Sequence, residues 1–433
     1  MPGFPRLSLV EGSFEELALE LATYLDQQKG EESDVLSTIT PKIADPEQEA
    51  RPAETDKDAV LESLVGASDV LNSAPEKELQ AAYNLLIHLI SQSEDPDNYI
   101  RSICLNLRKP ITSSPANNTG IALSILGTIF NTLDPDDSTR YNVLTLIIEL
   151  VKKTGNFETL EPQLETLDKW IADWELEPKD QRRLFTAVSD TAAAASNPDA
   201  SYRYLLKALI TLQSEPSTPE ARDLSLRALK AALQHDKHFD FQDLTSLDSI
   251  QALRKSDEVW YDLLELYSSD TYTDLQDFKE SNDDFFTANS LSEETLDRKM
   301  RLLTLASSAA HASQTRTLPY AQIAKALQIP SEDVEMWVID CIRSGLVEGK
   351  LSQQKQEFLI HRSTYRSFGE NQWREVASRL ENWKSSLVNV LAVIRQQKEE
   401  FEREKGHDGH GSGGGFRRGM GGMQRGGGGI EVD

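Results

Sequence analysis

The sequence predicts an all-α solenoid of irregular helical repeats, followed by a winged helix and a long C-terminal helix. Three observations support this fold class. Apolar residues recur at intervals of three and four along most of the chain, which is the period of one helix face. Short polar turns separate these segments, and a period-two pattern typical of strands begins only after Gly345.

The N-terminal half divides where the composition changes. Residues 1–58 carry one helical apolar face and then, from Lys29 to Asp58, an acidic stretch rich in Pro, Ser and Thr, which indicates a flexible linker. Residues 59–280 carry successive helical patterns broken by turn residues, and such helices bury their apolar stripes only by stacking as a solenoid. Helices are predicted here at Tyr99–Leu107, Ile121–Leu133, Tyr141–Lys152, Leu160–Trp174, Asp180–Ala195, Ser201–Leu212, Glu220–Gln234 and Ser249–Leu266.

Residues 281–368 have the pattern of a winged helix. Ser292 can cap a helix to about Ala312, and Tyr320–Leu327 and Glu332–Ser344 are predicted as two further helices. Two hexapeptides that alternate near period two follow, separated by a turn of hairpin length. Three helices followed by a β-hairpin make a winged helix, and the hairpin is the wing.

Residues 369–405 are predicted to form one long helix. Its apolar stripe contains Trp373, Val376, Leu380, Trp383, Leu387, Val390 and Ile394. We favour packing against helices of partner proteins, because the preceding domain already has its own core. Folding back on the winged helix is the alternative. Residues 406–433 form a glycine-rich tail, predicted to be a flexible spacer, with weak RNA contact as the alternative interpretation.

Composition and charge restrict the function. The chain has 433 residues and a formal net charge of -26, so its surface repels phosphate and general nucleic-acid binding is disfavoured. Two cysteines exclude a disulfide framework and fit a reducing compartment. The segment Met1–Pro5 does not resemble a signal peptide, and no apolar run is long enough to cross a membrane. We therefore expect a cytoplasmic protein.

Motifs for catalysis and for cofactors are missing from the sequence. There is no P-loop, no GxSxG and no HExxH, so we expect no enzymatic activity and no cofactor. The pairs His235/His238 and His407/His410 have the spacing of metal ligands, but no neighbouring set completes a zinc site. We expect no metal at either pair.

The predicted function is therefore protein binding. The third winged-helix segment carries Glu332, Asp333, Glu335 and Asp340 against Arg343, which opposes a DNA-reading role. Eight residues are candidates for a protein interface because they are apolar and lie on the third helix, the wing or the last helix. They are Met336, Ile339, Phe358, Ile360, Trp383, Leu387, Val390 and Ile394. The edge of the wing is a further candidate, by strand addition to a neighbour.

Several runs in the C-terminal part resemble a known family. Arg298–Leu305, Leu318–Ile323, Asp333–Val347, Gly349–Gln353 and Arg366–Gly369 with Trp373 are similar, in this order and spacing, to the M-subunit family of eukaryotic translation initiation factor 3. That family has a PCI domain, a helical solenoid that runs into a winged helix, and residues 60–365 fit this arrangement.

The resemblance implies a non-catalytic scaffold subunit that supports initiation on the small ribosomal subunit. It implies binding to other PCI and MPN subunits through the winged helix and the last helix, with no catalytic residues to transfer. The glycine-rich tail departs from the family pattern. A PCI subunit of the proteasome lid or of the COP9 signalosome is the alternative, because the fold would be the same.

Overall fold

The computed structural model describes residues 12–30, 34–43, 55–93, 95–112, 117–312, 315–366 and 369–408. The side chains of Asp283, Asn371, Glu375 and residues 404–408 are outside this description. The chain divides into two compact units after Arg366. The first unit contains the helical repeats and the winged helix, and the second contains one long helix.

Seventeen helices precede the winged helix in the described part of the first unit. They are α1 (Phe14–Lys29), α2 (Val35–Ile39), α3 (Lys57–Ala67), α4 (Glu76–Ile90), α5 (Pro96–Leu107), α6 (Asn118–Thr132), α7 (Thr139–Thr154), α8 (Glu161–Leu164), α9 (Leu167–Asp173), α10 (Pro178–Ala194), α11 (Pro198–Ile210), α12 (Pro219–Gln234), α13 (Gln242–Thr245), α14 (Asp248–Ser256), α15 (Glu258–Ser269), α16 (Tyr272–Ser281) and α17 (Asp283–Ala288). Short 3-10 turns lie at Thr40–Lys42, Ser68–Ser73 and Phe157–Thr159.

Local sequence sets many of the helix ends. The Ser13 hydroxyl accepts from the Glu16 amide at 3.3 Å while the Glu16 carboxylate accepts from the Ser13 amide at 3.2 Å, which is a capping box. Thr218 caps α12, whose first residue, Pro219, needs no hydrogen-bond partner for its nitrogen. Gly155 ends α7 in the left-handed conformation at φ 72°, which costs little for a residue without a Cβ.

Ion pairs join equivalent helices of successive repeats. Arg108, at the C-terminal end of α5, pairs with Glu149 of α7 at 2.9 Å, and Lys152 of α7 pairs with Asp190 of α10 at 3.1 Å. Asp190 also pairs with Arg227 of α12. The partners are 41, 38 and 37 residues apart, so this spacing is the approximate length of one repeat. The α5, α7, α10 and α12 helices thus form one row of the solenoid, as stacked repeats do.

The winged helix consists of three helices and a small sheet. The elements are α18 (Glu293–His311), β1 (Thr317–Pro319), α19 (Tyr320–Leu327), α20 (Val334–Arg343), β2 (Val347–Ser352) and β3 (Glu357–Ser363), with a 3-10 turn at Ser331–Asp333. The antiparallel sheet has the order β1-β3-β2, so the last strand is central. The register shifts at Gly349, where a Cβ atom would lie 2.2 Å from the Leu359 carbonyl oxygen, so only glycine fits.

The predicted fold class is confirmed, but some element boundaries differ. The segment predicted as one helix from Ser249 to Leu266 is two helices, α14 and α15, separated at Asp257. The Asp257 backbone is not helical, and its carboxylate accepts from Arg222 Nε and Nη2 at 2.6 and 2.7 Å. This bidentate ion pair with α12 holds the break in place.

Two further segments differ from the prediction. The predicted helix Leu160–Trp174 is divided into α8 and α9, and Pro162 lies in the first turn of α8, where proline is tolerated. Within the predicted acidic linker, residues 34–43 form α2 and a 3-10 turn, and Ile39 and Ile43 are fully buried. The Asp26 carboxylate accepts from the first two amides of α2, at 3.1 and 3.0 Å, and so stabilises that helix.

The last helix, α21, runs from Glu370 to Asp408. It is 39 residues long, close to the predicted bounds. Among the helices of the described residues, none has the length and apolarity needed to cross a bilayer.

Candidate protein-interaction surfaces

One face of α20 is buried and the opposite face is exposed. Val334, Val338 and Cys341 are fully buried in the winged-helix core. Met336 and Ile339 point away from that core and are 55% and 41% exposed. The two residues are three positions apart, so they are neighbours on the helix surface and form a contiguous apolar patch. Such a patch is typical of a protein contact.

Charged residues lie at both ends of this patch. Glu332 lies in the 3-10 turn that precedes α20, four residues before Met336, and Arg343 follows Ile339 by one helical turn. Both charged residues are exposed. Glu332, Met336, Ile339 and Arg343 are named the α20 stripe below. Its order along the chain is acidic, apolar, apolar and basic, so a partner with the opposite order of charges would complement it.

The other acidic residues of α20 are engaged inside the winged helix. The Glu335 carboxylate accepts from Gln353 Nε2 at 2.8 Å and from the Tyr320 hydroxyl at 3.3 Å. Asp340 accepts from Arg298 at 3.2 Å. Glu335 and Asp340 therefore face other parts of the winged helix, and the α20 stripe is the outward face of the helix.

The prediction that Phe358 and Ile360 form an interface is wrong. Phe358 is fully buried and Ile360 is 5% exposed, because β3 is the central strand and this side of it packs on α18. The period-two pattern showed that the two residues share a face, but it could not tell which face is covered. Within the part of the chain that the structure describes, β2 pairs only with β3, so its outer edge is unpaired there.

The last helix presents a long apolar stripe. Leu380, Trp383, Leu387, Val390 and Ile394 are 55%, 65%, 48%, 51% and 57% exposed, and they repeat at alternating intervals of three and four. They are named the α21 stripe below. A seven-residue repeat of this kind is the pattern by which long helices pack on one another.

The apolar surface of α21 is wider than the sequence prediction. Val388, Leu391 and Val393 are 57%, 51% and 60% exposed and lie beside the predicted stripe. From Leu387 to Ile394 the helix is therefore apolar over more than half of its circumference. Such a width fits contacts with more than one helix. The run of aliphatic residues was visible in the sequence, but the prediction followed a single stripe.

The side chain of His235, in the first histidine pair, contacts other residues of the solenoid. His235 Nε2 lies 2.8 Å from Asp199, and His235 Nδ1 accepts from the Lys237 amide at 3.0 Å. Burial, together with the charges of Lys299 and His235, lowers the pKa of His238 to about 4. No group of three or more metal-binding side chains was found among the described residues. The His407 side chain, His410 and the tail from 409 onward lie outside the described residues.

Comparisons with known proteins agree on one family. The PCI domain family matches residues 275–362, and the family described as eIF3 subunit M, C-terminal helix, matches residues 366–394. The chain is 55% identical over 94% of its length to eukaryotic translation initiation factor 3 subunit M of Phaeosphaeria nodorum, of which it covers 92%. It is 46% identical over 93% of its length to the proteins of that name from Chaetomium globosum and Aspergillus oryzae, covering 91% and 90% of them.

Proposed function

The chain belongs to the family of eukaryotic translation initiation factor 3 subunit M, and from this premise we propose that it acts as a scaffold whose α20 and α21 stripes dock on sister subunits. It is a subunit of that initiation factor, and the alternative as a proteasome-lid or signalosome subunit is not favoured. In this proposal the chain works by binding other PCI and MPN subunits, without catalysis, in the cytoplasm. It reaches the small ribosomal subunit only through the assembled complex.

The exposed apolar residues carry the proposal. Met336 and Ile339 have no role in the winged-helix core, and the α21 stripe lies in a unit that consists of one long helix in the described residues. Leaving such side chains in water costs about 25 cal/mol for each Å² of apolar surface that a partner could cover. Both stripes are therefore suited to burial in a complex.

The charges of the α20 stripe describe the partner surface. We expect an apolar patch with a basic group near Glu332 and an acidic group near Arg343. DNA is disfavoured, because Glu332 and Asp333 are exposed at the N-terminal end of α20, where they would face a phosphate backbone. Weak RNA contact by the glycine-rich tail stays a separate proposal.

Charge substitution in the α20 stripe tests the docking proposal. Full-length tagged chain carrying Met336→Glu or Ile339→Glu should recover at least tenfold less of the sister subunits from cell extracts, because a buried unpaired carboxylate is unfavourable. Gln322→Glu, at an exposed position of α19, adds the same charge as a matched control and should recover them normally. Circular dichroism of each variant checks that the fold is retained.

Two outcomes would contradict the proposal. Normal recovery by both α20 variants would show that this face is not a docking surface. Equal loss with Gln322→Glu would show a nonspecific effect of charge. For the tail, deletion of Gly406–Asp433 should leave assembly intact, and reduced crosslinking to RNA in that variant would support the alternative role.

A further inference from the structure

The first helix of the winged helix belongs to two cores. Leu296, Met300 and Leu303 of α18 are buried with the residues of the last solenoid helices. Leu302 and Leu305, on another side of the same helix, are buried with the winged-helix core. The α18 helix therefore joins the solenoid to the winged helix. Charged residues of α18 make further contacts at this junction.

Lys299 attaches α18 to the solenoid. Its side chain is almost fully buried, and Nζ donates to the carbonyl oxygens of Ala232 and His235 at 2.7 and 2.6 Å. These carbonyls lie at the C-terminal end of α12, where the backbone has no further helical donors. A cation is favoured at this end of a helix.

Arg301 contacts both sides of the junction. Its Nη2 donates to the Tyr272 hydroxyl of α16 at 2.9 Å, and its guanidinium lies 4.6 Å from the Tyr272 ring centroid. The same guanidinium lies 5.3 Å from the ring centroid of Trp337 in α20. Arg301 thus links a solenoid helix to the helix that carries the α20 stripe, through hydrogen-bond and cation-π contacts.

Arg366 attaches the other end of the winged helix. Its guanidinium donates to the carbonyl oxygens of Leu266, Tyr267 and Asp270 at 2.9, 2.6 and 2.6 Å, at the C-terminal end of α15. The winged helix is therefore fastened to the solenoid at its first helix and again after its last strand. Two attachment points restrict rotation of the winged helix relative to the solenoid more than a single point would.

We propose that Arg301 is a positioning residue that holds the winged helix and the end of the solenoid as one rigid block, so that the α20 stripe has a fixed direction relative to the solenoid. The neighbouring Trp337 and Met336 connect this contact to the docking face. The inference rests on the proposed function for its consequence, since a fixed docking face binds with a smaller entropic cost. Its structural part, the rigidity, is tested independently.

Distance measurements on the full-length chain test the rigidity. Spin labels at Lys179→Cys in α10 and Lys325→Cys in α19 report the distance between solenoid and winged helix by pulsed electron resonance. Both positions are exposed, while the native Cys104 and Cys341 are buried and need no replacement. We expect a narrow distribution for the parent protein and a clearly broader or shifted one for Arg301→Met.

Two variants make the comparison specific. Arg298→Met is the matched control, because Arg298 contacts Asp340 within the winged helix and does not reach the solenoid in the described contacts. It should leave the distribution narrow. Arg301→Lys retains a cation between the two rings and should restore most of the narrow distribution. The sister subunits recovered should fall several-fold with Arg301→Met and little with Arg298→Met.

The outcomes separate the inference from the proposed function. An unchanged distance distribution for Arg301→Met, or equal broadening by Arg298→Met, would overturn the positioning role, whatever the docking variants show. If Arg301→Met broadens the distribution while Met336→Glu leaves recovery unchanged, the rigid junction stands and the docking proposal is wrong. Broadening together with lost recovery supports both.

Discussion

The amine of Lys299 is buried, and its surroundings change its pKa. Its side chain is 2% exposed, and its two carbonyl partners lie at the C-terminal end of α12. Burial lowers the pKa of Lys299 to about 7, against the weaker opposing effect of Asp236. In the unfolded chain the amine titrates near 10.4.

This difference predicts a dependence of stability on pH. Between about pH 7 and 10 the unfolded state binds more protons at this residue than the folded state does, so the free energy of unfolding rises with pH. Lys299→Met lacks the titrating group. Urea unfolding of both proteins between about pH 7 and 9 should show the parent gaining stability relative to the variant. If the parent's free energy of unfolding does not rise relative to that of Lys299→Met as the pH increases, the lowered pKa of Lys299 would be contradicted.

Phe358 and Met336 form a second test at the scale of single residues. Phe358 is fully buried, so Phe358→Ala should lower the free energy of unfolding by about 3–5 kcal/mol. Met336 is 55% exposed, so Met336→Ala should change it by less than about 0.5 kcal/mol. Denaturant unfolding of the two variants measures both values, and similar losses would show that Met336 belongs to the core.

At the scale of elements, the long helix α21 has an apolar surface that is wider than the α21 stripe alone. Leu387→Glu places a charge in the middle of the α21 stripe and should reduce the recovery of sister subunits at least tenfold. Ser385→Glu adds the same charge at an exposed position nearly opposite the stripe and serves as the control. Equal recovery of sister subunits with the two variants would argue against the stripe as an interface.

Local sequence predicts elements well where the causes are local. The helix capped by Ser292, the helix that begins at Tyr320 and the turn at Gly345, with φ 73°, follow from caps, proline and glycine within a few residues. The break at Asp257 does not, because it depends on Arg222 from another helix. The short strand β1 has three residues and depends on pairing with β3 and on the burial of Leu318 in the winged-helix core, so no local pattern indicates it.

The candidate site was partly predictable for the same reason. Helical spacing placed Met336 and Ile339 on one side of α20, and Val334, Val338 and Cys341 on the core side. The roles of Lys299, Arg301 and Arg366 depend on backbone and ring partners from distant segments, and in the sequence they resemble ordinary charged surface residues. These three residues lie in the runs that carry the family resemblance, and each of them has specific partners in the structure.

At the scale of the whole molecule, the chain combines an acidic solenoid with apolar stripes at its C-terminal end. The net charge of -26 keeps such a chain soluble while it presents these stripes. Assembly is therefore expected to cover the stripes and to leave the first solenoid helices largely unchanged. Stability and docking are then separate properties of the chain.

Hydrogen exchange of the free full-length chain and of the purified initiation factor tests this claim most directly. Peptides that cover Ser331–Gly345 and Leu380–Arg395 should exchange several-fold more slowly in the complex, because partners cover the α20 and α21 stripes. Peptides from α3 and α5 serve as the reference for unaffected regions. Equal exchange of both C-terminal segments in the free chain and in the complex would contradict the account.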